Sequence, residues 1–381
     1  MSASPPLFVV LAAGKGIRMK STVPKVLHKI AGRSMIAHVL CTAKNIQSGV
    51  VAVIVGPEME DVASEARIAA PGAQVFIQHN QRGTADAVLA ARSALEAHEG
   101  DVIVLYADTP LIRPETLERL RRALDKGASV AVLGFRPRDP TGYGRLLTDA
   151  KGTLLAIREE KDASEAERKI DLCNSGVLAF RVANISGLLS RIGNTNAKGE
   201  FYLTDVIELA TADGLAVAAI ECDEEEVLGV NARDQLATAE AVWQARARLA
   251  SMRDGVTMIA PETVWLSYDT KLAPDVQIEP NVVFGPGVTV EEGAKILAFC
   301  HLEGAVIGKG ARIGPFARIR PGAKLISVKA AAEEYGLPAA LLYDLIKRGE
   351  LPAVQPPNIR RIYIVRADLE QKLASWQVAA L

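Results

Sequence analysis

Residues 7–27 read LFVVLAAGKGIRMKSTVPKVL, and this stretch decides the fold of the first part of the chain. An apolar run at 7–11 breaks into the side-chain-poor segment 12–16, and two cations, Arg18 and Lys25, follow. A buried strand that ends in small residues exposes backbone N–H groups, and nearby cations neutralise an anion that docks on them. The pattern therefore predicts a phosphate-binding loop at the carboxyl end of a strand, where open α/β sheets bind their ligands.

The glycines of this loop match neither of two common phosphate-binding motifs. GxxxxGK[ST] is absent, and Met19 stands where the third glycine of GxGxxG would be. Taken alone, the loop is explained equally well as an ordinary tight turn between a strand and a helix. The rest of the chain has to decide between these interpretations.

Length and composition indicate a multidomain globular protein. The chain has 381 residues, 49% hydrophobic and 23% charged, and a formal net charge of −1, which gives no general argument for nucleic-acid or membrane binding. Four separated cysteines without a CxxC pair predict free thiols in a reducing compartment. Because there is neither a signal-like N-terminus nor an apolar run of about 18 residues, we expect a cytoplasmic protein with no membrane partner.

Short β-branched runs alternate with helical patterns up to about residue 230. We predict strands at 8–12, 50–55, 75–78, 102–106 and 129–135, and helices that include 85–97 and 114–126. Strand–helix alternation produces right-handed βαβ units and a mostly parallel sheet. Residues 1–230 are therefore predicted to form a Rossmann-like α/β domain.

A long helix and then a sequence repeat follow this domain. Residues 231–253 lack internal Gly and Pro and carry apolar residues at helical spacing, which predicts a linker helix. From residue 276 the apolar positions recur every six residues, with Gly and Pro at the corners. The two series are Val276, Val282, Val288, Ala294, Cys300 and Ile278, Phe284, Val290, Ile296, Leu302, and after a one-residue slip the period returns at Ile307, Ile313, Ile319 and Leu325. This period favours a short parallel β-helix over residues 254–326 rather than an irregular Gly/Pro-rich β domain.

The last segment, residues 327–381, is predicted to be a small helical module. The helical patterns lie at 327–335, 338–347 and 367–376, with an extended segment at 361–365. We expect Ser327 to cap the first helix and Gly336 to end it. This helix–turn–helix–wing–helix order resembles small excisionase-type or MerR-type DNA-binding modules.

The charge of this module does not favour DNA as its partner. It has seven basic and six acidic side chains, and the candidate recognition helix starts with the apolar sequence LPAALL at 337–342. Phosphate contacts need clustered cations, and base readout needs polar side chains. A cap for the open end of the β-helix, an oligomerisation element or a fused segment is favoured over a DNA-binding role. The candidate DNA-backbone contacts are Lys347, Arg348, Arg360 and Arg361.

Nine short motifs follow one another in the first domain and its junction with the helix. They are LAAGKGIRM (11–19), PKVLH (24–28), QRGTADA (81–87), YAD (106–108), DPTGYGR (139–145), EEKDA (159–163), NSG (174–176), GEFYLTD (199–205) and GVN (229–231). In this order they resemble the motifs of the N-acetylglucosamine-1-phosphate uridyltransferase family, and the resemblance covers residues 5–325. In that family the domain is usually the first half of a bifunctional enzyme. The second half is a glucosamine-1-phosphate acetyltransferase built on a left-handed hexapeptide-repeat β-helix.

The resemblance implies transfer of UMP from UTP to N-acetylglucosamine 1-phosphate, which gives pyrophosphate and UDP-N-acetylglucosamine, a cell-envelope precursor. A sugar phosphate is already an anionic nucleophile, so the reaction needs no general base. Positioning and charge neutralisation then supply most of the rate enhancement.

The resemblance also implies residue roles, which we carry over by position. The nucleotide would contact Leu11, Ala12, Ala13, Gly14 and Ala107, and the uracil would be read by Gln78, Gly83 and Thr84. The catalytic cations would be Arg18 and Lys25. Mg²⁺ would be held by Asp108 and Asn231, whose oxygens suit a hard ion. The sugar would be surrounded by Tyr106, Gly144, Glu159, Asn174, Tyr202 and Thr204.

The chain departs from the family at three places. Ile17 replaces a usual Thr, and Ala107 replaces a usual Gly, where the added Cβ is expected to crowd the nucleotide slightly. After Leu325 the helical module stands where the family's repeats continue through the acetyl-transfer site, so we expect no acetyltransferase activity. The family's β-helices form trimers, and the sequence leaves open whether this shortened one does.

Two other functions stay open at this stage. One is a related sugar-1-phosphate nucleotidyltransferase that uses another sugar or base, and GEFYLTD and GVN argue against it. The other is a DNA-binding regulator that uses the first domain as a sugar-nucleotide sensor. Intact Lys25, Asp108 and Asn231 argue against sensing as the sole role.

Overall fold

The computed structural model describes residues 4–46, 49–150, 152–321, 325–355 and 362–379. The chain divides into two compact units. The first comprises Met1–Lys29 and Arg33–Ala239, and the second comprises Ile30–Gly32 and Glu240–Leu381. The predicted domain limits at 230, 253 and 326 are finer than this division and stay predictions.

The α/β part of the chain contains the following elements. Its strands are β1 (Leu7–Leu11), β2 (Lys29–Ile30), β3 (Arg33–Ser34), β4 (Val50–Val55), β5 (Gln74–Ile77), β6 (Val102–Tyr106), β7 (Val130–Phe135), β8 (Arg145–Thr148), β9 (Leu154–Arg158), β10 (Cys173–Phe180) and β11 (Val217–Cys222). Its helices are α1 (Met35–Lys44), α2 (Glu60–Ala69), α3 (Thr84–Ala90), α4 (Arg92–Glu96), α5 (Pro114–Asp125), α6 (Glu165–Arg168), α7 (Val182–Leu189), α8 (Val206–Ala212) and α9 (Arg233–Arg253). Short 3₁₀ turns occur at Ile17–Met19, Lys25–Leu27, Leu203–Asp205 and Glu224–Glu226.

The main sheet has the strand order β11-β7-β10-β6-β1-β4-β5. β1 pairs in parallel with β4 and β6, which confirms the predicted mostly parallel sheet, while β10 runs antiparallel to β6 and β7. Strands buried on both faces are continuously apolar, as in LFVVL, because helices cover each side. The predicted helix at 85–97 is in fact two helices, α3 and α4, separated at Ala91.

The hexapeptide-repeat segment forms short parallel strands. They are β12 (Thr257–Met258), β13 (Lys271–Leu272), β14 (Gln277–Ile278), β15 (Val283–Phe284), β16 (Thr289–Val290), β17 (Lys295–Ile296), β18 (His301–Leu302), β19 (Val306–Ile307), β20 (Arg312–Ile313) and β21 (Arg318–Ile319). They stack as β12-β14-β17-β20, β13-β16-β19 and β15-β18-β21, which confirms the β-helix prediction.

The register of this β-helix shows the predicted slip. Gln277 pairs with Lys295, a separation of 18 residues, whereas Lys295 pairs with Arg312, a separation of 17. Three hexapeptides make one coil of 18 residues, so one coil is a residue short. The two apolar series are buried and form the core of the β-helix. The second half of α9 belongs to the same unit, where Gln244 Nε2 donates to the Leu266 carbonyl at 2.7 Å.

The C-terminal module contains β22 (Leu325–Ser327), α10 (Val328–Tyr335), α11 (Ala339–Lys347), β23 (Ala353–Gln355), β24 (Tyr363–Val365) and α12 (Arg366–Ala379). The Ser327 side chain accepts from the Ala330 N–H, and Gly336 ends α10 with φ 65°, so both predicted caps are confirmed. Leu325, which we predicted to be the last member of the repeat, instead lies on β22 and pairs with Val365 of β24. Arg360 and Arg361, two predicted DNA contacts, lie outside the described residues.

A strand of this module closes one face of the β-helix. β23 pairs antiparallel with β20, so one sheet runs in the order β12-β14-β17-β20-β23-β24-β22. Val354 of β23 is buried in the β-helix core. The sequence favours the appended helices as a cap, whereas in the structure a strand makes this contact. Within the described ranges, no helix is long and apolar enough to cross a membrane.

Candidate functional site

The site lies where β1 and β6 end side by side. The two strands are parallel and pair Leu11 with Tyr106, so the residues that follow each strand emerge at the same edge of the sheet. The small residues 12–14 after β1 and Asp108 after β6 therefore lie at the same edge of the sheet. A cleft of about 260 Å³ opens at this edge. The predicted residues that line it are Leu11, Ala12, Ala13, Gly14, Lys25, Gln78, Gly83, Thr84, Tyr106 and Asp108.

Lys25 connects the two predicted metal ligands. Its Nζ donates to Asp108 Oδ2 at 2.5 Å and to Asn231 Oδ1 at 3.0 Å. Asn231 is brought here by its neighbour, because the Val230 N–H donates to the Asp108 carbonyl at 2.9 Å. Lys25 is only 8% exposed, so this ion pair is largely shielded from water. One ammonium therefore donates to two acceptor oxygens from residues that are far apart in the sequence.

Gly16 allows Lys25 to occupy this position. The φ of Gly16 is +61°, and a Cβ placed on it would lie 2.5 Å from Lys25 Cβ. The loop after β1 therefore packs directly on the aliphatic stem of Lys25. Within the Gly-Lys-Gly sequence of this loop, Gly16 allows the contact with Lys25, and the small residues also leave backbone groups exposed to a ligand.

The predicted uracil-reading residues form a connected group. Gln78 Nε2 donates to the Gly83 carbonyl and to Asp86 Oδ2, both at 2.9 Å. Thr84 Oγ1 accepts from the Leu203 N–H at 2.9 Å. The amide donors of Gln78 are thus engaged within the protein, and Thr84 ties the start of α3 to the segment that carries the predicted sugar residues.

The predicted sugar-binding residues lie close to one another around Glu159. Thr204 Oγ1 donates to Glu159 Oε1 at 3.2 Å, and a Cβ on Gly144 would approach the same oxygen at 3.3 Å. The Asn174 N–H donates to the Gly144 carbonyl at 2.8 Å, and Asn174 Oδ1 accepts from the Gly176 N–H, so Asn174 also shapes its own turn. Burial raises the pKa of Glu159, while the hydrogen bond from Thr204 opposes this shift.

Two tyrosines flank this group. Burial raises the pKa of Tyr106, and the nearby carboxylates of Glu159 and Asp108 add to the shift. Burial likewise raises the pKa of Tyr202 to about 12, and Lys198 Nζ lies 5.7 Å from the centre of its ring. Both phenols therefore stay protonated at neutral pH and can donate a hydrogen bond.

Three predicted or departing residues take other positions. Arg18 is exposed on the 3₁₀ turn after the loop and is absent from the lining of the cleft. Ala107 is fully buried in the hydrophobic core, so its methyl group faces packed side chains and does not line the cleft that we expected it to crowd. Ile17 is 83% exposed.

Comparison with known proteins identifies the family. A family model of the MobA-like NTP transferase domain matches residues 8–170, and a helix-turn-helix domain model matches residues 325–376. The bifunctional protein GlmU of Azorhizobium caulinodans is 61% identical over 305 residues, which cover 80% of this chain and 68% of that protein. The chain belongs to the GlmU family.

Other GlmU proteins agree with this assignment. The proteins of Xanthobacter autotrophicus and Agrobacterium fabrum are 58% and 54% identical over 299 residues, which cover 78% of this chain and 66% of each relative. The chain thus spans about two thirds of the length of these GlmU relatives. Its first unit is a nucleotidyltransferase domain, and its C-terminal module is the helix-turn-helix type that the sequence predicted.

The sequence analysis missed several residues of the cleft. These are Lys15, Val26, Gln81, Ala87 and Glu200. Gln81 Nε2 donates to the Ala13 carbonyl at 3.0 Å, which fixes the backbone of the loop after β1. Gln81 is the first residue of the QRGTADA motif and has a positive φ of 43°. Its place in this motif is the sequence feature from which a role in the cleft could have been predicted.

Proposed function

We propose that the first unit transfers UMP from UTP to N-acetylglucosamine 1-phosphate and releases pyrophosphate. One observation carries this proposal: the Lys25 ammonium joins Asp108 and Asn231 beside a cleft lined by the segment 11–14. A cation, two oxygen donors and exposed backbone beside a strand end are what a triphosphate requires. The choice of sugar and base rests on the motif resemblance to N-acetylglucosamine-1-phosphate uridyltransferases, since the nine motifs are present in order.

The oxygen donors at this site fit Mg²⁺. Asp108 Oδ2 and Asn231 Oδ1 already lie within hydrogen-bond distance of one cationic centre, Lys25 Nζ. Mg²⁺ takes oxygen ligands, uses one or two carboxylates, and completes its shell with water and substrate phosphates. A larger acidic cluster is therefore unnecessary, and none occurs among the described residues. When bound, the ion would neutralise charge on the phosphates.

The residues of this chain would then do two things. Lys25 and Arg18 would offset negative charge on the triphosphate and the departing pyrophosphate. Glu159, held by Thr204, would accept hydrogen bonds from sugar hydroxyls and so fix the direction of the sugar phosphate. The sugar phosphate is already ionised, so no residue has to remove a proton from it, and orientation supplies the rate enhancement.

A pyrophosphate-release assay with UTP and a panel of sugar 1-phosphates tests the reaction. We expect turnover to be fastest with N-acetylglucosamine 1-phosphate. Asp108→Asn, which keeps the size of the side chain, should lower kcat/KM by about 100-fold or more, because it removes charge that is needed in the transition state. Asp213→Asn, an exposed acid paired with Arg191, is the matched control and should keep full activity. A wild-type rate in Asp108→Asn would refute this site.

We further propose that this chain lacks acetyltransferase activity. The described β-helix strands end at β21 (Arg318–Ile319), and helix-turn-helix sequence follows from residue 325. The family resemblance places the acetyl-transfer residues in repeats beyond this point. An assay for free CoA with acetyl-CoA and glucosamine 1-phosphate should show no release above background, and enzymatic release would overturn this part of the proposal.

A further inference from the structure

The Lys25 ammonium contacts both predicted metal ligands. Its Nζ is 2.5 Å from Asp108 Oδ2 and 3.0 Å from Asn231 Oδ1. The side chain is 8% exposed, and the loop at Gly16 packs on its stem, so the ammonium is held in place rather than sampling solvent. The Lys25 ammonium thus engages both oxygens at once.

An ammonium and a divalent ion cannot share this position. Mg²⁺ binds its oxygen ligands at about 2.0–2.1 Å and demands near-octahedral geometry. Two cations held by the same oxygens would repel each other strongly where water is scarce. Metal binding through Asp108 Oδ2 and Asn231 Oδ1 would therefore displace the Lys25 ammonium from these two atoms. The cleft that Lys25 also lines gives it a second destination, beside the segment 11–14.

We propose that Lys25 is a counter-ion that stabilises the metal-free site and is displaced toward the triphosphate when the divalent metal binds. This proposal rests on the metal site of the proposed function. Lys25 then serves as a positioning residue twice: it keeps Asp108 and Asn231 together before binding, and it moves to the phosphates when the metal takes their oxygens. Binding of the metal and binding of the triphosphate are therefore coupled, because each favours the position of Lys25 that the other requires.

The first test measures metal binding to the full chain without nucleotide. Mn²⁺ serves as the probe because free Mn²⁺ is quantified directly by electron paramagnetic resonance. Lys25→Met keeps a stem of similar shape under Gly16 and removes the ammonium. We expect it to bind Mn²⁺ at least about tenfold more tightly than the wild type, which corresponds to about 1.4 kcal/mol. Lys15→Met, which removes a cation lining the same cleft, is the matched control and should change the affinity much less.

Three results of this test would overturn the proposal. Unchanged or weaker Mn²⁺ binding in Lys25→Met would show that the ammonium and the metal do not compete. Equal tightening in Lys25→Met and Lys15→Met would assign the effect to general charge. The double variant Lys25→Met/Asp108→Asn separates this proposal from the metal site itself: if it binds as tightly as Lys25→Met, the metal lies elsewhere and both proposals fail.

A second test uses the wild-type protein and needs no substitution. Reductive methylation followed by peptide mass spectrometry reports how available each lysine amine is. We expect Lys25 to be protected in the metal-free chain and to become several-fold more reactive when Mg²⁺ alone is added, while Lys15 stays constant. Protection of Lys25 that is unchanged by saturating Mg²⁺ would contradict displacement.

Discussion

Val354 of the C-terminal module pairs with Ile313 in the β20–β23 ladder, and its side chain is buried in the β-helix core. The Gly314 N–H also donates to the Ala353 carbonyl at 3.1 Å. An uncovered end strand offers unpaired backbone groups to other chains. β23 covers β20 by running antiparallel to it, so a strand from a helix-turn-helix module replaces the next parallel coil on this face.

The first prediction concerns this closing strand. Val354→Asp would bury a carboxylate among apolar side chains. We expect the free energy of unfolding of the second unit to fall by more than about 2 kcal/mol. Differential scanning calorimetry measures the loss, and light scattering at increasing concentration should detect new association through the opened edge. Val306→Asp places the same carboxylate on an exposed valine of β19 and should change neither quantity. Unaltered unfolding in Val354→Asp would show that β23 does not stabilise the β-helix.

The second prediction concerns the turn that carries the cleft wall. Gly83 has φ +130°, and a Cβ there would lie 2.5 Å from the Phe201 carbonyl oxygen. Gly83→Ala should therefore lower stability by more than about 2 kcal/mol and raise the KM for UTP, because backbone atoms must move apart. Gly72→Ala is the control: φ is +93° but the space is open, so it should cost about 1 kcal/mol and leave KM unchanged. Equal effects of both changes would mean that only backbone strain matters.

The sequence predicted what depends on local periodicity. The parallel strands, the hexapeptide coils and the Ser327 and Gly336 caps all have patterns that repeat or end within a few residues. Lys25 and Asn231 are 206 positions apart, and no periodicity relates them, so only the family resemblance brought them together. The three-residue strand β23 is too short to show alternation of apolar and polar residues. Its partner β20 is separated from it in the sequence by β21, β22, α10 and α11. The pairing of β23 with the β-helix could therefore not be predicted from the sequence.

The third prediction is a pH dependence of stability. Burial, with Glu208 and Glu159 nearby, raises the pKa of Asp205 to about 6. An unfolded Asp titrates near 3.9, so between about pH 4 and pH 6 the native state binds more protons than the unfolded state. The free energy of unfolding should therefore fall as the pH rises through this window and stay reduced above it.

Asp205→Asn should remove that loss. Above pH 6 the variant should be more stable than the wild type by about 1–2 kcal/mol, a range reduced for solvent screening, and near pH 4 the two should converge. Melting temperatures from pH 4 to pH 8 measure this difference. Asp213→Asn gives the opposite sign, because a hydrogen bond from Arg191 lowers the pKa of Asp213 and stabilises its charged form above the unfolded pKa. A constant difference across all pH values would contradict titration of Asp205.

The last prediction is that the helix-turn-helix module does not bind DNA at physiological salt. Several of the basic side chains that the structure describes are already paired with acids: Arg348 contacts Asp344 at 3.1 Å and Glu350 at 2.9 Å, and Lys372 contacts Glu350 at 2.8 Å. The apolar start of α11 is also used, since Leu342 and Leu345 are buried in the core of the module. Cations that neutralise neighbouring acids release few counterions from DNA, and counterion release supplies most non-specific affinity.

Fluorescence anisotropy with a labelled random-sequence duplex measures this directly on the full chain. We expect no binding by the wild type at about 150 mM salt, within the range where phosphate contacts are still detected for basic DNA-binding proteins. Glu350→Lys frees Lys372, removes one of the two acids that contact Arg348 and adds a third cation, so it should acquire weak binding that disappears as salt rises. If the wild type binds with a steep salt dependence and Glu350→Lys binds no better, these ion pairs do not mask a DNA-binding surface, and the module would have a nucleic-acid partner in addition to its structural role on the β-helix.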